Sequence, residues 1–295
     1  MTVIDLIERC SARLRQAGVS FGHGTTNAFD EAAWLVLWRL GLPLDALDGV
    51  AEQAVSSAEQ AAVDALLDQR ISTRQPAAYL TGEAWLQGVP FTVDARAIVP
   101  RSLIAEPLAD GTLDTWLKPH TQRVLDLCTG NGSLAVLAAL AWPDVVVDAA
   151  DLSQDALAVA QLNITRHALT GRISLHAGDG LAAVAGQQYD LILCNPPYVN
   201  SASMAALPAE YRAEPDMALA GGSDGMDFIR HLLRTAPAQM APDAVLVLEI
   251  GNERQHFEHA FPTLDVVWLP TSAGDDQVLL LTRDALVNNT PANKP

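Results

Sequence analysis

Two short segments hold the residues best suited to chemistry. The first is DLCTGNGS, Asp126 to Ser133, which follows an apolar run and opens a helical pattern. Gly130 and Gly132 let a turn pass close to a ligand without Cβ clashes, and the N–H groups at a helix start attract a carboxylate or phosphate. Alone, such a turn serves equally well as a tight bend. The next apolar run sharpens the reading, because it ends at Asp151, twenty-one residues beyond Gly130, where a carboxylate can accept both hydroxyls of a ribose. That spacing suits a nucleoside cofactor of either the dinucleotide or the sulfonium type. Leu134 and Ala135 stand where the third glycine of a dinucleotide loop falls. Asp126 also puts a carboxylate inside an apolar strand, which calls for N–H partners or a cationic ligand nearby. Both features favour a sulfonium methyl donor.

The second segment is CNPPY, Cys194 to Tyr198, at the end of the fourth apolar run. Two prolines in a row donate nothing to a sheet and force the chain out of it, leaving the Asn195 side chain and the Pro196 carbonyl at the strand's carboxyl end. An NH2 group conjugated to a carbonyl or a ring is a poor nucleophile, because its lone pair is delocalised. Two acceptors aimed at its N–H bonds return electron density to nitrogen. Tyr198 is placed to pack on the flat face of that group, with Pro197 beside it. The two segments read as a donor loop next to a site for a planar nitrogen, either a side-chain amide or the exocyclic amino group of a base.

These loops need a frame to position them. Apolar runs at residues 124–128, 145–149, 173–177, 191–194 and 245–250 alternate with helical stretches such as 155–167 and 228–239. Such alternation predicts a parallel sheet with helices on both faces. Two further runs, 264–269 and 278–282, have no helix between them and predict an antiparallel edge. Ahead of the sheet, residues 1–76 carry helical stripes (Val3, Leu6, Ile7, Cys10 and Leu14; residues 30–40; Val63, Leu66, Leu67 and Ile71) and read as a small helical domain. Residues 77–107 hold a hairpin turning at Gln87–Gly88 and read as a connector. Residues 108–287 form the sheet domain, and the tail 288–295 is expected to fray.

Together DLCTGNG, Asp151, Asp179 and NPPY resemble the class I S-adenosylmethionine-dependent methyltransferases that act on amide or amino nitrogens. The N-terminal helices, AAYLTGEAW and VPRS make the chain similar to the protein-glutamine methyltransferases. The resemblance spans nearly the whole chain, including residues 210–225 (EYRAEPDMALAGGSDG) and 248–252 (LEIGN), and runs nearest to the branch that methylates large-subunit ribosomal protein L3. Members acting on peptide release factors have Pro-Arg-Pro and an acidic residue where this chain has Pro100, Arg101 and Ser102. The resemblance implies an α/β, Rossmann-like sheet and S-adenosylmethionine as cofactor, with no metal. It implies cofactor contacts from Asp126, Cys128, Thr129, Gly130, Asn131, Gly132, Asp151, Asp179, Gly180 and Asn195. A glutamine amide would be gripped by Asn195, Pro196, Pro197 and Tyr198, with Arg101 near the substrate. Two departures fall in the Arg101 loop: Leu103 replaces a usual proline, and Pro107 an aliphatic residue.

Charge narrows the partners. Thirty-five acidic residues against eighteen basic ones give −17, and only Lys118 and Lys294 are lysines, so the average surface repels a phosphate backbone and attracts a basic protein. This weighs against an adenine amino-group methyltransferase of nucleic acid. The other readings left open are release-factor methylation and a non-catalytic ribosome assembly factor. The longest apolar run, residues 134–142, is far short of the roughly 20 needed to span a bilayer, and the N-terminus lacks a basic flank and apolar block, so a cytoplasmic protein is expected. Cys10, Cys128 and Cys194 form no C-x-x-C pair, which predicts reduced thiols. His256 and His259 are expected on a solvated face, and Trp34 and Trp38 in the core or at a docking face. Glu106 and Glu249 are read equally as site or structural residues.

Overall fold

The computed structural model describes residues 1–289. Its first module holds α1 (Val3–Gln16), α2 (Ala28–Leu40), α3 (Leu47–Val50), α4 (Ser57–Thr73) and α5 (Ala77–Thr81). The starts are coded locally. Thr2 and Ser56 each form a capping box with the acid three residues on, Asn27 caps α2, and Gly41 stops it at φ 67°. Each cap stabilises its helix by about 1 kcal/mol. The predicted stripes Val3, Leu6, Ile7, Cys10 and Leu14 meet Leu35, Val36, Val63 and Leu67 in a separate core.

The connector is the hairpin of β1 (Glu83–Leu86) and β2 (Val89–Thr92), turning at Gln87–Gly88 as expected, followed by α6 (Ala105–Ala109). Phe91, fully buried, belongs to the core of the sheet domain. The sheet follows the predicted alternation: β3 (Arg123–Leu127), α7 (Ser133–Ala141), β4 (Val146–Asp151), α8 (Gln154–Arg166), β5 (Ile173–Ala177), β6 (Tyr189–Cys194), α9 (Ser201–Ala206), α10 (Asp227–Thr235), β7 (Met240–Glu249), α11 (Arg254–Ala260), β8 (Val267–Thr271), β9 (Gly274–Thr282) and α12 (Arg283–Asn289). Strand order is β5-β4-β3-β6-β7-β9-β8. Pairings are parallel from β5 to β7, while β9 runs antiparallel to both neighbours and inserts between β7 and β8. Side chains alternate between two cores. Val124, Leu191, Leu193 and Val247 face α7 and α8, whereas Leu125, Ile192, Cys194 and Leu248 face α10 to α12.

Three boundaries differ from expectation. The 228–239 helix stops at Thr235 and tightens into a short 3-10 turn, Ala236–Ala238, because Pro237 has no N–H to extend it. The strand expected from Leu264 starts at Val267, since Leu264 N first donates to Phe261 O in a turn. Helix α12 runs through Asn289, into the tail expected to fray; the rest of that tail lies outside the described residues.

Modules and sheet are joined by an irregular segment, residues 207–219, through two buried acids. Glu210 Oε1 accepts from Ser20 N (3.2 Å), Arg70 Nη1 (3.4 Å) and Arg74 Nη1 (3.2 Å), all on the helical module. Glu214 accepts from Val99 N at 2.9 Å and from both arms of Arg101, at 2.6 and 2.7 Å, while His23 Nε2 stands 3.4 Å away. Burial alone would raise the Glu214 acid, but the Arg101 charge and these contacts outweigh it and hold the carboxyl at about 2. Against the ordinary 4.5, this is worth about 3 kcal/mol, present above pH 4.5 and lost as pH falls towards 2. Urea titrations should find Glu214→Gln less stable than wild type by about 3 kcal/mol at pH 7 and by less than half of that at pH 3. A pH-independent difference would contradict the ion-pair account.

Candidate active site

Strand order reverses between β3 and β6, and ligands in such sheets bind in the crevice beyond the carboxyl ends at that point. Leu127 pairs with Cys194, so the glycine turn and the Asn-Pro-Pro kink leave the sheet level with each other. Cys128 turns the corner at φ 61°, a conformation usually left to glycine and stored where a site requires it.

Four of the turn's N–H groups are used within the protein. Thr129 N donates to Ala150 O, Gly130 N to Asp151 Oδ2, Gly132 N to Thr129 O, and Ser133 N to Asn131 Oδ1. Ala135 N and Thr129 Oγ donate to Asp126 Oδ2, which ties strand to turn. The turn is thus prebuilt, and Thr129, Asn131 and Gly132 sit buried within it. Two polar atoms are left over. Asp126 Oδ1 and Asn131 Nδ2 are buried without a partner among the described residues, and burial pushes the Asp126 carboxyl up to about 7. Both residues sit behind the turn and do not line the cavity in front of it.

A cavity of about 770 Å³ opens in front of the turn. Of the residues singled out in the sequence, Cys128, Gly130, Asp151, Asp179, Gly180, Asn195 and Pro197 line it, whereas Asp126, Thr129, Asn131 and Gly132 do not. Asp151 takes Gly130 N on one oxygen and Ser153 N on the other, both at 2.8 Å, leaving each oxygen a lone pair for a ribose hydroxyl. Burial raises its carboxyl above the ordinary range. Sequence reasoning did not single out Leu152, Phe228, Pro215 and Met217, whose apolar faces line the same space and suit a flat ring. Their signal was weak, since isolated apolar residues in loops carry no periodicity.

A second cavity, about 1130 Å³, lies on the other side of the kink. Asn195 lines both spaces. Neither its side-chain oxygen nor the Pro196 carbonyl accepts a hydrogen bond from any described residue. Pro196, Tyr198, Arg101 and Glu249 line this second space, with Leu207, Tyr211 and Leu219 from the 207–219 segment above and Gly22 from the helical module. Tyr198 donates its hydroxyl to Glu249 Oε1 at 2.9 Å. Its ring lies against Gly251, where an added Cβ would meet Tyr198 Cε2 at 2.5 Å and φ is already 52°. Gly251→Ala should therefore tilt the Tyr198 ring and cut turnover by about tenfold or more, with cofactor affinity retained in calorimetry.

Other singled-out residues stand apart from these spaces or are differently employed. The Arg101 guanidinium, expected near substrate, lines the second cavity but is occupied by Glu214. Glu106 accepts from Ser272 away from both cavities, whereas Glu249 lines the second one. Exposed His256 pairs with the buried Glu253, and no group of three or more His, Cys, Asp or Glu among the described residues is arranged to hold a metal. Trp34 packs on the helical core, while Trp38 is exposed. The three cysteines are unpaired, Cys10 and Cys194 buried and Cys128 partly so. No helix among the described residues is long and apolar enough to cross a membrane.

Known proteins match over the same elements. Residues 5–82 match the PrmC N-terminal domain family, and residues 111–210 the methyltransferase small domain family. The chain is 54% identical to the ribosomal protein uL3 glutamine methyltransferase of Bordetella pertussis, over 97% of this chain and 96% of that one. It is 52% identical to the protein of that name from Burkholderia pseudomallei, over 95% and 94% of the two chains. Among solved structures, the hMettl16 catalytic domain in complex with MAT2A 3'UTR hairpin 1 superposes with a TM-score of 0.52, covering 80% of this chain and 83% of that one. At 13% identity this last likeness shows the fold alone.

Proposed function

The chain belongs to the family of ribosomal protein uL3 glutamine methyltransferases, and on that premise we propose that its two cavities hold S-adenosylmethionine and a glutamine side chain of uL3, meeting at Asn195. It methylates the side-chain amide nitrogen of that glutamine. Asp151 holds the ribose, Leu152 and Phe228 flank the adenine beside Asp179 and Gly180, and Cys128 and Gly130 border the methionine end. When bound, the cofactor would supply an activated methyl group carried on a sulfonium.

The chain's own residues make a poor nucleophile usable. Asn195 and Pro196 accept from the two N–H bonds of the amide and withdraw it from conjugation, while Tyr198 walls its flat face. Alignment in a space shielded by residues 207–219 does the remainder, because reacting atoms held about 3–3.5 Å apart need little further activation. Methylated nitrogen is acidic enough to release its proton to solvent afterwards.

The observation that carries this reading is that a single asparagine, free of internal hydrogen bonds, faces both cavities. The acidic surface suits a basic ribosomal protein, and such a substrate implies work in the cytoplasm. The test incubates the protein and methyl-labelled donor with purified uL3, peptide release factors and naked RNA, then locates the label by mass spectrometry. Label on a uL3 glutamine is expected. Label on RNA or on a release factor instead would reject the assignment.

A further inference from the structure

Asn195, Pro196 and Tyr198 account for the second cavity's floor, but Glu249 beside them has been given no part in the reaction. Its location is specific. Cys194 pairs with Leu248, so Glu249 stands one residue past the pairing on β7, level with Asn195 on β6. It is 4% exposed. Three donors converge on it: Tyr198 Oη on Oε1 at 2.9 Å, and Ser102 Oγ (2.6 Å) and Leu103 N (2.9 Å) on Oε2. Both oxygens are needed as acceptors, which is the pattern of an ionised carboxylate. Keeping a charge in a buried wall is costly, and an apolar residue would hold β7 in the sheet more cheaply. Burial accordingly raises this acid, while Ser102 and Tyr198 work to keep it ionised.

We infer that Glu249 is a positioning residue for the amide nucleophile, an inference that rests on the glutamine reading of the second cavity. It fixes the Tyr198 ring between its own carboxylate and Gly251, and it ties that ring to the loop carrying Ser102. The flat group held by Asn195 and Pro196 therefore meets a wall with one orientation. Glutamine at position 249 keeps the shape but removes the charge, and its N–H2 meets Tyr198 only with the hydroxyl turned to accept, so the charge-assisted bond that fixes the ring is lost.

The experiment is a double-mutant cycle on the full chain with uL3 and labelled donor, using Glu249→Gln, Tyr198→Phe and the pair together. Each single variant should lower kcat by about tenfold to a hundredfold, the range of one hydrogen bond to a charged group. Cofactor Kd and Tm should stay near wild type, and the double variant should be no slower than the slower single one. Losses that multiply in the double variant, or an unchanged kcat in Glu249→Gln, would overturn the inference. So would a loss that follows Tm or cofactor affinity. A wild-type chain that fails to label uL3 removes this inference together with the proposed function, whereas an active wild type with a multiplicative cycle removes the inference alone.

Discussion

Asn195→Ala should lose methyl transfer by about three orders of magnitude while binding S-adenosylmethionine within a few fold of wild type. The size follows from preorganisation. One fixed polar group aimed at the reacting centre is commonly worth about 10²–10³ in kcat, and here the same side chain also sets the angle at which the amide enters. Cofactor affinity survives because Asn195 is one contributor to a wall shared with Asp151, Gly130, Asp179 and Phe228. Single-turnover labelling gives the first quantity and calorimetry the second. If affinity fell in parallel with turnover, Asn195 would be a cofactor ligand and the nucleophile would be held by something else.

Asp151→Ala should have the opposite profile, weakening cofactor binding by about ten to a hundredfold. Hydrogen bonds to a charged group contribute about 1.5–3 kcal/mol each, and the carboxylate retains a lone pair on each oxygen for the ribose. The same residue receives Gly130 N and Ser153 N, so its removal also loosens the glycine turn. Asp151→Asn keeps one acceptor and should fall between alanine and wild type. Calorimetric affinity equal to wild type in the alanine variant would move the ribose away from Asp151.

Much of the sheet domain was legible because burial on both faces leaves a mark on composition. Runs such as Val124–Leu127 and Leu191–Cys194 are apolar at every step but one, and that one, Asp126, is explained by its bonds to Thr129 and Ala135. Asn195 and Asp151 were visible for a related reason: Asp151 ends a strand and Asn195 directly follows one, so local order fixed which way the chain must turn. What escaped was everything arranged by distant partners. Glu210 and Glu214 sit in a stretch without periodicity, and their cations lie 113 to 140 residues away along the chain. The internal use of the turn's N–H groups was equally invisible, since Ala150 and Asp151 as acceptors emerge only once β4 lies beside β3. Glu249 was ambiguous for the same cause, its three donors coming from two separate loops.

The anchoring of Glu210 to Ser20, Arg70 and Arg74 bears on how the enzyme can be dissected. Cutting away the helices would strand a carboxylate surrounded by cations, and the segment bordering both cavities would lose its mooring. The two halves are thus separate in their hydrophobic interiors yet not in their operation. A partner that grips the helices holds, through the same acid, one edge of the chamber where chemistry occurs.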